Sequence, residues 1–141
     1  MSSYAGPVGT WSAEPVGNDD AADFVAELDG QQRWTVVKRA LARAERAGEG
    51  LDSDDAAVAV AAAEVVAHGL GRPSQTDAYT EDIQDFVGRA RRPSRRLADR
   101  ALRAVAIAAH PDGELAELWA ETGTTEWRDS IDRLVANLTK R

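Results

Sequence analysis

Two side chains able to move a proton or bind a metal, Glu64 and His68, stand four residues apart in a stretch that is otherwise alanine and valine. On a helix that spacing places both on one face. A carboxylate and an imidazole so placed can share a proton or supply two metal ligands, but a competent metal site draws further ligands from other elements. The other histidine, His110, sits in the punctuated run His110-Pro111-Asp112-Gly113, and neither a Glu-x-x-His nor a His-Glu-x-x-His pattern occurs. The plainer reading has Glu64 accepting hydrogen bonds from the N-terminal arm or an arginine while His68 caps a helix end.

Asp19, Asp20 and Asp23 form a second group. Oxygen ligands of this kind suit calcium or magnesium. They lack the ligand spacing and the glycine of a calcium-binding loop, so capping and complementarity to a helix dipole account for them more simply, as they do for Asp52, Asp54 and Asp55. No metal and no other cofactor is expected.

The third group is cationic. Arg92, Arg95, Arg96, Arg100 and Arg103 include three- and four-residue spacings, so several guanidinium groups can line one edge of a helix and grip carboxylates or phosphates. These five are the expected interaction residues. No aromatic side chain interleaves with them to stack bases, and the chain as a whole carries a formal charge of −7, which repels nucleic acid. A protein partner or a second copy of the chain is expected instead, with no nucleic acid.

That net charge is unevenly spread. The first 32 residues hold six acids and no Lys or Arg, whereas Arg89 to Arg103 holds seven arginines and one acid, Asp99. A hydrophobic share of 43% and a charged share of 29% belong to a globular chain with a real core. No stretch approaches the ~18 apolar residues of a membrane span. The absence of cysteine excludes disulfides, thiolate catalysis and cysteine zinc sites. The first residues show neither the basic start nor the leucine-rich stretch of a secretory signal, and residence in the cytoplasm is the expectation.

The elements that must position these groups read as helices. Gly6-Pro7, Gly9, Pro15 and Gly17 punctuate residues 1–17 too often for one, leaving an extended arm that carries Trp11. A lone tryptophan on an arm is expected to fold back into a groove with its N–H satisfied. Asn18 or Asp19 starts a first helix that Gly30 ends, and a second runs from Gln31 to Ala47 with Trp34, Val37, Leu41 and Ala44 in one stripe. Ser53 caps a third through His68, apolar nearly all round and therefore central. Thr80 caps a fourth, Pro93 breaks it and Ser94 starts a fifth whose apolar face runs from Leu97 to Ala108. Leu115, Leu118 and Trp119, then Trp127, Ile131, Leu134 and Leu138, describe two more, separated near Gly123. Trp34, Trp119 and Trp127 are expected to pack. The fold is all-α: a single-domain bundle of five to seven helices over 18–141, with the arm 1–17 packed on it.

Three segments carry a family resemblance. The tryptophan arm leading into Asn18-Asp19-Asp20-Ala21-Ala22-Asp23, the stretch Ala61-Ala62-Ala63-Glu64-Val65-Val66-Ala67, and Gly113-Glu114-Leu115-Ala116-Glu117-Leu118-Trp119 with Trp127 together resemble the bacterial family called domain of unknown function 4259. The family's arm reads Gly-x-Trp-Gly with an aromatic before the Asn-Asp-Asp-Ala start. Here Ser12 stands in place of the second glycine and Val16 in place of the aromatic. The resemblance implies a small, mostly helical bacterial protein and brings no agreed activity and no catalytic residues.

Two functions from different classes are compatible with these residues. One is a non-enzymatic interaction or regulatory protein, immunity-like in character, working through its charged surfaces. The alternative is a metal-dependent or acid-base enzyme built on Glu64, His68 and the first-helix carboxylates.

Overall fold

Seven α-helices follow one another along residues 9–140, the part of the chain described by the computed structural model. They are α1 (Asp19–Ala26), α2 (Thr35–Ala47), α3 (Ser53–Gly69), α4 (Glu81–Arg89), α5 (Arg95–Ala108), α6 (Glu114–Ala120) and α7 (Glu126–Thr139), with short 3-10 turns at Gly48–Gly50 and Ala78–Thr80. The described residues contain no strand, only an isolated antiparallel bridge between Thr10 and Asn18. Residues 1–8, including the Gly6-Pro7 punctuation of the arm, and Arg141 lie outside the described residues. No helix among the described residues is long and apolar enough to cross a membrane.

The bundle is organised around α3, which packs against each of the other six helices. Every residue from Ala59 to His68 is buried. A helix buried on all sides must be apolar all round, and alanine's single methyl lets neighbouring backbones approach closely. The surrounding helices bury one stripe each. Val37, Ala40, Leu41 and Ala44 of α2 and Leu97, Ala98, Ala101, Ala104, Val105 and Ala108 of α5 are spaced at three and four, and each stripe belongs to the one core. Phe24, Phe86, Ile83, Leu134 and Leu138 supply the bulk that α3 lacks.

Starts and stops follow local chemistry, with three departures from expectation, one being Thr80, which stands at the N-cap of α4 without a side-chain capping bond while its hydroxyl donates to the Asp77 carbonyl. Asn18 accepts a hydrogen bond from the Ala21 N–H and Ser94 one from the Leu97 N–H, so both cap their helices. At α3 the cap is Asp52, whose Oδ1 accepts from the Asp55 N–H at 2.8 Å, and Ser53 is the first helical residue. The second helix begins at Thr35 and not at Gln31. Trp34 sits at its N-cap, held by its indole N–H donating to the Arg91 carbonyl at 2.8 Å and by an edge-on contact with Phe86. That long-range anchor directs the chain ahead of Thr35, and Gly30, at φ 76°, closes the turn behind α1.

Helix C-termini are finished by arginines from elsewhere in the chain. Arg72 donates to the Asn137 and Lys140 carbonyls, and Arg95 to the Leu138 and Lys140 carbonyls, all at the end of α7. Arg89 donates to Leu28 and Gln31 past the end of α1, and Arg128 to Ala109 at the end of α5. Terminal carbonyls lack intrahelical partners and carry the negative end of the dipole, so a guanidinium answers both needs.

Gly69, at the end of α3, has a packing role that its neighbours impose. A Cβ there would lie 2.6 Å from Pro93 Cγ and 2.9 Å from Trp34 Cη2. Gly69→Ala should therefore lower the unfolding free energy by about 2 kcal/mol through overpacking, read as a fall in the urea midpoint at unchanged slope. An unchanged midpoint would show that Trp34 and Pro93 do not close on this helix end.

Candidate functional site

Glu64 and His68 do share one face of α3, and a third element closes over them. Both are buried, Glu64 at 0% and His68 at 7% exposure. Glu64 Oε1 accepts from the Ser74 hydroxyl at 2.5 Å, and Oε2 accepts from the Ser74 N–H at 2.9 Å and the Gln75 N–H at 2.9 Å. His68 Nε2 lies 3.0 Å from the same Oε2 and 2.9 Å from the Gln75 carbonyl oxygen. The carbonyl oxygen can only accept, so Nε2 carries a hydrogen. The donors expected from the arm or an arginine come instead from the loop between α3 and the Ala78–Thr80 turn, and His68 reaches that loop rather than a helix end. With three donors from Ser74 and Gln75 converging on one carboxyl group and His68 Nε2 against it, the pair offers no open position to a substrate or metal unless the loop moves.

Gln75 passes the connection on to the arm. Its side chain, buried in the loop, accepts from the Val16 N–H at 2.8 Å and donates to the Val16 carbonyl at 2.9 Å, so an amide replaces a neighbouring strand. The arm closes on itself as well: the Trp11 and Ser12 N–H groups donate to the Gly17 carbonyl, and the Asp19 N–H to Gly9. Gly17 is required inside this closure, since a Cβ would press on Ser12 and on the Glu14 carbonyl oxygen at 2.8 Å. Ser12 and Val16, which stand where the family pattern has a glycine and an aromatic, both take part: Ser12 Oγ accepts from the Glu14 N–H, and Val16 is fully buried.

Trp11 lies half-buried, its ring 5.0 Å from that of Tyr79. Its indole N–H, expected to be satisfied, is buried and unpartnered among the described residues. Glu14 beside it is held above the usual carboxylate range, first by burial and then by the charges of Glu64 and Asp77, against the opposing pull of Arg133. The other tryptophans are core residues: Trp34, Trp119 and Trp127 are all buried, and the last two stack with ring planes 3° apart.

The first-helix carboxylates lie elsewhere. Asp20 and Asp23 wall a cleft of about 320 Å³ with Glu27, Arg39 and Arg43, between α1, α2 and α3. Burial, then the nearby Asp54 charge and a hydrogen bond with that carboxyl, raise the pKa of Asp20. Asp19 and Asp20 form the acidic first turn of α1 behind the Asn18 cap. Because Asp54 and Glu64 are ten residues apart on one helix, about 15 Å separates this acidic group from the buried pair. The two groups do not converge, and no set of three or more metal-ligating side chains is gathered among the described residues.

The arginines divide. Arg95 is occupied at the end of α7 and by Asp99 at 3.2 Å. Arg100 and Arg103 both approach Glu45 of α2, at 3.3 and 3.8 Å. Arg92 and Arg96 are exposed. Because α2 packs beside α5, its own cations join them. Thr35, Lys38, Arg39, Ala42, Arg43 and Arg46 with Arg100 line an open groove of about 520 Å³. Sequence reasoning passed over the α2 cations. Their signal was present: they occupy the face opposite the Val37, Leu41 and Ala44 stripe.

Two tests separate scaffold from site. Gln75→Ala should unpair both backbone groups of Val16, destabilising the fold by about 2 kcal/mol and raising the exchange rate of the Val16 amide above that of the α3 amides. Equal protection would sever the proposed link. Glu14 has a raised folded pKa, so its stabilising contribution is complete below its unfolded pKa, about 4.5, and is lost as pH rises through the folded value. Glu14→Gln should thus gain melting temperature relative to wild type between pH 4 and pH 7, and a difference independent of pH would contradict the burial of that carboxyl.

Comparison with known proteins identifies the family without supplying an activity. No curated protein and no solved structure matches the chain. The family model described as domain of unknown function (DUF4259) matches residues 9–130, from the arm through the start of α7. The chain belongs to the domain of unknown function 4259 family.

Proposed function

We propose that the protein is a non-enzymatic interaction or regulatory module of a bacterial cytoplasm. The observation that carries this reading is the closure of the Glu64 and His68 pair. The carboxylate and imidazole that share one face of α3 are buried, and their hydrogen-bonding capacity is taken up by Ser74 and Gln75. Loop closure of this kind anchors a backbone. Many of the charged groups that remain exposed lie on helix faces, where they are accessible to other macromolecules.

The enzyme alternative makes a contrary demand, since it needs Glu64 to act on something other than the loop. Glu64→Leu should leave the Ser74 and Gln75 N–H donors unpaired in the core and cost about 3 kcal/mol of stability. Elemental analysis of untagged wild-type protein should find no stoichiometric metal, and a chelator should leave the melting temperature unchanged. A bound metal lost together with the Glu64 carboxylate would remove the interaction reading. So would equal recovery of every cellular protein on immobilised wild-type chain and on a variant with its groove cations reversed.

A further inference from the structure

The groove between α2 and α5 combines features that single out one class of occupant. We infer that it docks an acidic polypeptide segment of a partner protein, one presenting three or more carboxylates along its length; this inference rests on the interaction reading above and names the chemistry of the partner.

The cations form two rows. On α2, Lys38 or Arg39, Arg43 and Arg46 recur at helical spacing beside the small side chains Thr35 and Ala42, which leave the floor low. On α5, Arg100 lines the groove, and Arg96 and Arg103 flank it four residues before and three after along the helix. Seven residues of helix rise about 10 Å, so each row offers positive charge over the length of about two turns of a docked helix or three extended residues. Most of these charges have no acid of their own: among the described residues, Lys38, Arg39, Arg46 and Arg96 make no ion pair, while Arg43 reaches Asp55 at 3.6 Å.

Beside the groove, one of its lining arginines already holds a carboxylate. Glu45 of α2, adjoining the groove, receives both Arg100 Nε and Nη2 on its Oε1 at 3.3 Å and draws Arg103 toward its Oε2. An incoming carboxylate along Lys38, Arg39 and Arg46 would repeat that arrangement one turn away, with Arg100 held in position by Glu45. Guanidinium groups favour such planar acceptors.

Charge decides against nucleic acid. Single-stranded nucleic acid binding draws on aromatic platforms, and none lines the groove. The remainder of a chain with net charge −7 repels a continuous phosphate backbone, whereas a short acidic segment feels mainly the groove. A second copy could bring exposed acids of its own, such as Glu81, Asp82 and Asp85 of α4, and it is read as a separate outcome of the test.

The test is fluorescence anisotropy with a labelled oligo-glutamate peptide, using the full chain at low and high salt, beside single-stranded DNA carrying the same number of charges. Peptide binding should weaken by about tenfold on Arg46→Glu and again with added salt, while Arg133→Glu, an identical charge change on α7 outside the groove, should alter it by no more than about threefold. Circular dichroism melts confirm that each variant is folded. DNA binding more tightly than the peptide overturns the polypeptide assignment, as does equal weakening by Arg46→Glu and Arg133→Glu. Salt-dependent dimerisation that Arg46→Glu abolishes, with no peptide binding, transfers the groove to a second copy. Absence of peptide binding alone refutes the acidic occupant and leaves the interaction reading to its own test.

Discussion

A carboxyl group buried in the middle of an alanine helix constrains much of this molecule. Glu64 cannot sit at zero exposure without donors, because an unpaired buried carboxylate costs far more than the few kcal/mol by which a domain is stable. Neighbouring side chains of α3 are methyl and isopropyl groups and offer it nothing beyond His68. The donors must therefore be brought in, and the chain after Pro73 supplies them from one hydroxyl and two consecutive backbone N–H groups. Fixing Ser74 and Gln75 fixes the direction of the Gln75 side chain, which reaches the backbone of Val16 fifty-nine positions earlier in sequence. The arm is thus held by the same network that satisfies Glu64. A group that looks catalytic in the sequence is here the anchor of a non-helical connection.

The arginines obey a similar logic. A bundle of short helices exposes many terminal carbonyls, and short connections leave little room for local capping motifs at each one. Arg72, Arg89, Arg95 and Arg128 solve this across space, each donating to carbonyls at the end of a helix other than its own. Such arginines are partly removed from any external binding. What distinguishes Arg96 from Arg95 is one residue of helical rotation, about 100°, which turns one toward the end of α7 and leaves the other in solvent.

Much of the fold was legible in the sequence because the signals were local. The 3.6-residue stripes of α2, α5 and α7 and the all-round apolar character of α3 each report on burial directly. Asn18 and Ser94 announced their helices because a cap is a contact within three residues. What escaped were contacts with no local trace. Thr35 starts α2 because Trp34 is pinned to Arg91, and Glu64 finds its partners in a polar loop that reads as solvated. Asp52 and Ser53 are both competent caps, and a pattern cannot choose between neighbours. The cationic groove was half visible: the α5 arginines stood out as a cluster, whereas Lys38, Arg39, Arg43 and Arg46 passed as the ordinary wet face of an amphipathic helix. Only the packing of α2 beside α5 turns two wet faces into one concave surface.

That packing also explains why charge of one sign can accumulate on so acidic a chain. Repulsion between exposed guanidinium groups is weak in water and falls off within a Debye length of about 8 Å, so a row of cations on a rigid helix costs little. Glu45 relieves the closest approach, where Arg100 and Arg103 meet α2. The α1 acids relieve the opposite edge, where Asp20, Asp23 and Glu27 face Arg39 and Arg43 across their shared cleft. Between those two relieved edges Lys38 and Arg46 make no ion pair among the described residues, on a surface that α3 holds in place from beneath. A flexible loop bearing the same charges would fold back onto the acidic body of the molecule. Mounted on two packed helices, they cannot.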